Sequence, residues 1–104
     1  MRPLYNRLNR AMALNELGLH AESEAEARDA LRLAERMNQG YLVAGLAAGV
    51  AEACWGAGKL EEAEHFSLYA LEQEEVFFRA PACVILALVR GRQGLATECE
   101  QLFD

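Results

Sequence analysis

Residues 58–71 read GKLEEAEHFSLYAL, and the pattern that opens this stretch occurs three times in the chain. In each copy a glycine is followed by glutamate four residues later, a small residue five later and glutamate six later. An alanine also stands seven residues before each glycine. These alanine and glycine pairs are Ala11 with Gly18, Ala51 with Gly58, and Ala87 with Gly94. The glycines are 40 and then 36 residues apart, a period that indicates a stack of helix pairs sharing one core.

The composition fits one small all-α domain. The chain has 104 residues, of which 53% are hydrophobic, and this apolar fraction excludes a disordered segment. It contains only two prolines and is rich in alanine, leucine and glutamate, which are strong helix formers. Its formal net charge of −6 would repel a phosphate backbone, so we expect no direct binding of nucleic acid.

Apolar periodicity predicts five to six helices. The expected spans are about 3–17, 21–37, 41–57, 60–75 and 81–93, with a sixth helix over 96–103. Gly18, Gly58 and Gly94 are expected to end the first, third and fifth helices in a left-handed conformation. The third helix is apolar nearly all round and should be the central one. On the second helix, Glu24 and Arg28 are expected to form a pair on the solvent-exposed face.

The small residues resemble those of the tetratricopeptide repeat family. The matching positions are Ala11, Gly18, Ser23 and Ala30, then Ala51, Gly58, Ala63 and Ala70, then Ala87, Gly94 and Cys99. The resemblance implies a right-handed superhelix of antiparallel helix pairs, with repeats at 3–38, 41–78 and, in part, 81–104. The family period is about 34 residues, shorter than the spacing here. The longer spacing is similar to the helical sensor regions of large ATP-binding LuxR-type transcriptional activators, the MalT-like subgroup.

In the family that the chain resembles, the first helix of each pair lines a concave binding surface. Carried over to this sequence, that surface would hold Tyr5, Leu8, Met12, Asn15, Glu52, Trp55, Leu88 and Arg92. The resemblance therefore implies a scaffold that binds a protein or peptide, with a small-effector-sensing domain of a bacterial activator as the alternative. Trp55 is either an exposed anchor in the groove or a residue that packs the turn between helices. Glu16 and Glu52 make a strongly acidic peptide a poor ligand.

The sequence offers no set of catalytic residues, so we do not expect an enzyme. No metal ligands or cofactor are predicted, because His20 and His65 are isolated and are expected on solvated faces. The three cysteines are an odd number without a C-x-x-C motif, which favours reduced thiols and a cytoplasmic location. Residues 41–58 are the most membrane-like run, but Glu52 and the glycines argue against a membrane span.

The fifth predicted helix is strongly apolar, and the third copy of the pattern that follows it is incomplete. Repeat arrays need a polar cap over their last apolar face. Val84, Ile85 and Val89 are therefore expected to be covered either by a continuation of the chain or by a second copy, as in a homodimer.

Overall fold

The computed structural model describes the backbone of residues 4–73 and 79–103, and the side chains of residues 4–73 and 81–94. The described residues form five helices: α1 (Leu4–Glu16), α2 (His20–Arg36), α3 (Gly40–Gly56), α4 (Leu60–Glu72) and α5 (Arg79–Phe103). α4 ends earlier than predicted, because the backbone of Gln73 is extended. No strand occurs in the described ranges, so the predicted all-α stack of helices is confirmed there. None of these helices combines the length and apolar character that a membrane crossing requires, as far as the described residues extend.

Two of the pattern glycines end helices as predicted. Gly18 and Gly58 have φ angles of +80° and +79°, in the left-handed region that a glycine adopts without steric cost. After α1, the N–H of Leu19 donates to the carbonyl of Leu14 over 2.9 Å. After α3, the N–H of Lys59 donates to the carbonyl of Cys54 over 2.8 Å. Both turns therefore satisfy the last carbonyls of the preceding helix and reverse the chain.

The turn between α2 and α3 has the same geometry around a different residue. Asn38 has a φ angle of +54°, and the N–H of Gln39 donates to the carbonyl of Ala34 over 3.1 Å. Asparagine is the residue other than glycine that most readily enters this conformation. The predicted stop at residues 38–40 is thus confirmed.

The helices form two layers. α1, α3 and α5 lie side by side in chain order, whereas α2 and α4 lie on the other side. Among the described residues, no Cα atoms of α2 and α4 come within 8 Å of each other. α3 lies in the centre and contacts all four other helices, which confirms its predicted place.

The repeated small residues mark the points where paired helices cross. Ala11, Ala51 and Ala63 are completely buried, and Ser23 is 1% exposed. The Ser23 hydroxyl donates to the carbonyl of Ala11 over 2.6 Å, which joins α1 to α2 at the crossing. Larger side chains would separate the helix axes, so the pattern exists because the helices approach closely here.

The third pattern glycine does not end a helix. α5 continues through Gly94 to Phe103, so the predicted stop at Gly94 and the separate sixth helix are wrong. A glycine permits a left-handed turn but does not impose one. At Gly18 and Gly58 the following helix folds back and buries apolar surface, which stabilises the turn. After Gly94 the chain continues as α5 to Phe103, and no further helix in the described residues packs back to stabilise a turn.

α5 packs on the stack through one of its faces. Ala82, Ile85 and Val89 are 0%, 7% and 0% exposed, and they belong to the core that α3 and α4 share. Ile85 and Val89 are therefore unavailable for the predicted self-association, because they already stabilise this chain. Val84 remains 56% exposed. Pro81 lies in the first turn of α5, where its missing N–H removes no helical hydrogen bond.

Candidate functional site

A cavity of about 190 Å³ opens on the layer that α1, α3 and α5 form. Its lining residues are Leu8, Met12, Gly45, Ala48, Gly49, Glu52 and Pro81. Met12 and Glu52 each stand six residues before a pattern glycine, and Leu8 and Ala48 each stand ten before. The repeat therefore brings equivalent positions of neighbouring helices to one place.

The floor of the cavity is apolar and its rim carries one charge. Leu8 is 2% exposed and Ala48 is 6% exposed, so both lie at depth. Met12 is 44% exposed, and the carboxylate of Glu52 is exposed to solvent. At the repeat position where α1 carries Tyr5, α3 carries Gly45. Gly45 has no side chain and leaves space in the wall of the cavity. The cavity thus offers an apolar space beside a negative charge.

The structure brings together three of the eight residues predicted for the concave surface. Leu8, Met12 and Glu52 meet at the cavity. Tyr5 and Leu88 are 53% and 44% exposed on α1 and α5, but they do not line the cavity. They extend the apolar surface of the same layer along the helices on either side of α3.

Trp55 and Arg92 form a separate contact. The guanidinium of Arg92 lies over the indole ring of Trp55, 4.6 Å from the ring centroid. Trp55 is half-buried and packs against the core, and it does not line the cavity. The cation–π contact links α3 to α5. Trp55 is therefore partly accessible and also takes part in a contact between helices. This combines parts of both interpretations, the groove anchor and the packing residue.

Asn15 serves the turn after α1 and does not line the cavity. Its side-chain oxygen is hydrogen-bonded with Nδ1 of His20, the first residue of α2. His20 is half-buried, and a Cβ atom on Gly56 would overlap its imidazole ring. The prediction that His20 lies on a solvated face is thus wrong, because the glycine at the end of α3 leaves room for the ring.

Sequence reasoning did not assign Gly45, Gly49 and Pro81 to the site. Gly45 and Pro81 both stand thirteen residues before a pattern glycine, as Tyr5 does. Extending the repeat alignment to that position would have found them. Gly49 is one of several small residues on α3, and nothing local in the sequence shows which neighbour it faces.

On the opposite layer, a buried carboxylate joins the two repeats. Glu24 is 8% exposed, which corrects its predicted place on the solvated face. It accepts a hydrogen bond from Lys59 Nζ over 2.9 Å and one from Arg28 Nε over 2.7 Å. Burial raises the pKa of Glu24, but the hydrogen bonds from Lys59 and Arg28 outweigh burial, so that the pKa is lowered overall. Lys59 therefore ties the start of α4 to α2.

Glu24, Cys54 and Glu62 could be considered as metal ligands, because their ligand atoms lie within 4.8 Å of one another. Arg28 contacts both carboxylates, and it is ion-paired to Glu62. Burial raises the pKa of Cys54 to about 11, which keeps the thiol protonated at neutral pH. We interpret this cluster as an ion-pair network, since cationic side chains already neutralise its carboxylates.

Two further contacts bridge α2 and α4. The guanidinium of Arg28 lies 4.8 Å from the centroid of the Phe66 ring, and the Tyr69 hydroxyl donates to Glu35 over 2.7 Å. The hydrogen bond to Glu35 raises the pKa of Tyr69 to about 12. Long side chains thus span the gap between two helices whose backbones do not meet. They connect α2 directly to α4.

The sequence matches no family model, and no curated protein or solved structure is significantly similar to it. The fold and the cavity are therefore the grounds on which a function is proposed.

Proposed function

We propose that this chain is a peptide-binding helical-repeat module of the tetratricopeptide class, without enzymatic activity. The observation that carries the proposal is the cavity between α1, α3 and the start of α5. Repeat-equivalent residues line it, and it opens on the face that the resemblance implies for ligand binding. An apolar side chain of the partner would enter the space above Leu8 and Ala48.

The size of the cavity favours a side chain over a free metabolite. Cavities that hold drug-sized ligands measure roughly 300–1,000 Å³. The cavity here is about 190 Å³, which suits one leucine, methionine or phenylalanine side chain. We therefore rank peptide binding above effector sensing, the second function that the family resemblance implies.

The charge at the rim selects the neighbouring residues of the partner. Glu52 is exposed beside the apolar floor, and Glu16 lies four residues further on α1 than Met12. A basic residue next to the apolar anchor would pair with Glu52, whereas an acidic residue would be repelled. The proposed ligand is a segment with one large apolar side chain beside arginine or lysine.

Selection from a library of random 12-residue peptides displayed on phage tests this proposal. Enriched peptides should combine leucine, methionine or phenylalanine with an adjacent basic residue. Gly45→Leu places a side chain in the cavity and should weaken the selected peptides at least 10-fold. Gly40→Leu is the matched control, because Gly40 has open space around it at the start of α3. Glu52→Lys should reverse the preference for charge. The proposal is wrong if no peptides are enriched or if both leucine variants bind equally.

Other parts of the proposal rest on the resemblance. We propose that the module belongs to a regulator and is located in the cytoplasm. Cys54 and Cys83 are free thiols in the described part of the chain, which suits a reducing compartment. We also propose self-association through the exposed side of α5, where Val84 lies.

A further inference from the structure

One face of α5 is more exposed than the equivalent faces of α1 and α3, where the residues that correspond to Val84 and Ala87 are buried. It consists of Cys83, Val84, Ala87, Leu88 and Gly91, and all five are exposed. The large apolar side chains among them, Val84 and Leu88, are 56% and 44% exposed. An apolar stripe of this kind on a helix is normally buried against another helix.

The other two copies of the pattern show which segment covers this face. Ala87 corresponds to Ala11 and Ala51, and both of these are completely buried. Ala11 lies beneath α2, where the Ser23 hydroxyl reaches its carbonyl. In each case the covering helix begins just after the pattern glycine. The segment that corresponds to it in the third copy is 95–103.

Residues 95–103 cannot cover Ala87 in their own chain while α5 is straight. At a rise of about 1.5 Å per residue, they lie roughly 12–24 Å further along the same helix. The same segment of another molecule can reach the open face if the two α5 helices pack antiparallel. The contact would then form twice, once on each copy, as a two-fold axis requires.

We infer that this chain forms a two-fold dimer in which residues 95–103 of each copy pack on the open face of α5 of the other. The register follows from the contact between Ser23 and Ala11, which stand five residues after and seven before the same glycine. In the dimer, residue 99 of one copy meets Ala87 of the other. Gly91 and Gly94 lie near the centre of the crossing, where small residues allow close approach of two helices.

Disulfide trapping tests this register. Ala87→Cys is introduced together with Cys83→Ser, so that positions 87 and 99 can pair, and the protein is treated with a mild oxidant. Most of the chain should become a disulfide-linked dimer on non-reducing electrophoresis. Met37→Cys with Cys83→Ser is the control, because Met37 is exposed at the end of α2, a helix that does not contact α5 among the described residues. It should cross-link at least 10-fold more slowly.

Two results of this experiment would overturn the inference. A monomer with an internal disulfide between positions 87 and 99 would show that the segment folds back on its own chain. Equal rates of cross-linking at positions 87 and 37 would show that only random collisions occur.

Sedimentation equilibrium gives an independent test without cysteine chemistry. Ala87→Glu should weaken the dimer at least 10-fold, because it places a charge at the centre of the apolar contact. Gly94→Ala should keep the dimer at least as strong, since alanine favours the straight helix over a left-handed turn. A monomeric Gly94→Ala variant, or a wild-type chain that stays monomeric at 100 µM, would contradict the inference. Gly45→Leu should leave the dimer intact, so failure here is distinguishable from failure of the proposed peptide groove.

Discussion

Two glycines of α3 provide a matched pair of substitutions that test the packing directly. Gly49 lies in the middle of the helix, where a Cβ atom would be 3.9 Å from the Cβ of Ala27 and 4.0 Å from Cδ1 of Leu8. These are ordinary van der Waals distances, so a methyl group fits without movement. At Gly56 the added Cβ atom would overlap the imidazole of His20.

The structure predicts different effects of the two alanine variants on the stability of the fold. Alanine is favoured over glycine by about 1 kcal/mol within a helix, and nothing opposes this gain at Gly49. Gly49→Ala should therefore raise the melting temperature by roughly 4–8 °C for a domain of this size. At Gly56 the ring of His20 must move away and lose its hydrogen bond with Asn15, which costs about 1 kcal/mol. Because Gly56 ends the helix, its gain in propensity is smaller, and Gly56→Ala should be neutral or destabilising.

Thermal and urea unfolding followed by circular dichroism measure both variants against the wild-type chain. A double variant with Gly56→Ala and His20→Ala should be less destabilised than the sum of its two single changes, because the overlap is then absent. The packing argument is wrong if Gly49→Ala lowers the stability, or if the two single alanine variants shift the melting temperature equally.

Three further predictions concern buried and paired groups. A pKa of about 11 leaves Cys54 roughly 0.1% ionised at pH 8, so iodoacetamide should modify it at least 100-fold more slowly than Cys83, as peptide mapping will show. Tyr69→Phe should lower the free energy of unfolding by about 1 kcal/mol at neutral pH, since it removes the hydrogen bond to Glu35. Folding raises the pKa of Tyr69 to about 12, so wild-type stability should fall as the pH rises from about 10 towards that value. In urea unfolding, the phenylalanine variant should lack this loss of stability. Identical pH profiles of the two proteins would contradict the prediction. Glu24→Gln should lower the free energy of unfolding by roughly 1–3 kcal/mol at pH 7. Because the pKa of Glu24 is lowered in the folded protein, the difference in stability from wild type should vanish as the pH falls well below about 4. A difference that persists in acid would argue against the ion-pair network.

The sequence alone was sufficient to predict the first four helices and their turns. The bounds of the first three helices and the start of the fourth follow from apolar periodicity and from residues that tolerate positive φ angles, Gly18, Asn38 and Gly58. The repeated small residues also indicated where helices cross, and the apolar composition of α3 placed it in the centre. These features depend on local backbone preferences and on the period of the helix, which a single sequence displays. Part of the groove was anticipated as well, because the family resemblance implied one surface that holds Leu8, Met12 and Glu52.

Only the tertiary structure decided the features that depend on which segments meet. The same pattern produces a turn at Gly58 and continuous helix at Gly94, because a following helix packs back in one case and not in the other. Glu24 is polar and four residues before Arg28, which is typical of an exposed face, yet Lys59 from the next repeat allows it to be buried. Local sequence limits the conformations that each segment can adopt. Contacts between segments distant in sequence choose among them, because burial and pairing outweigh local preferences of about 1 kcal/mol.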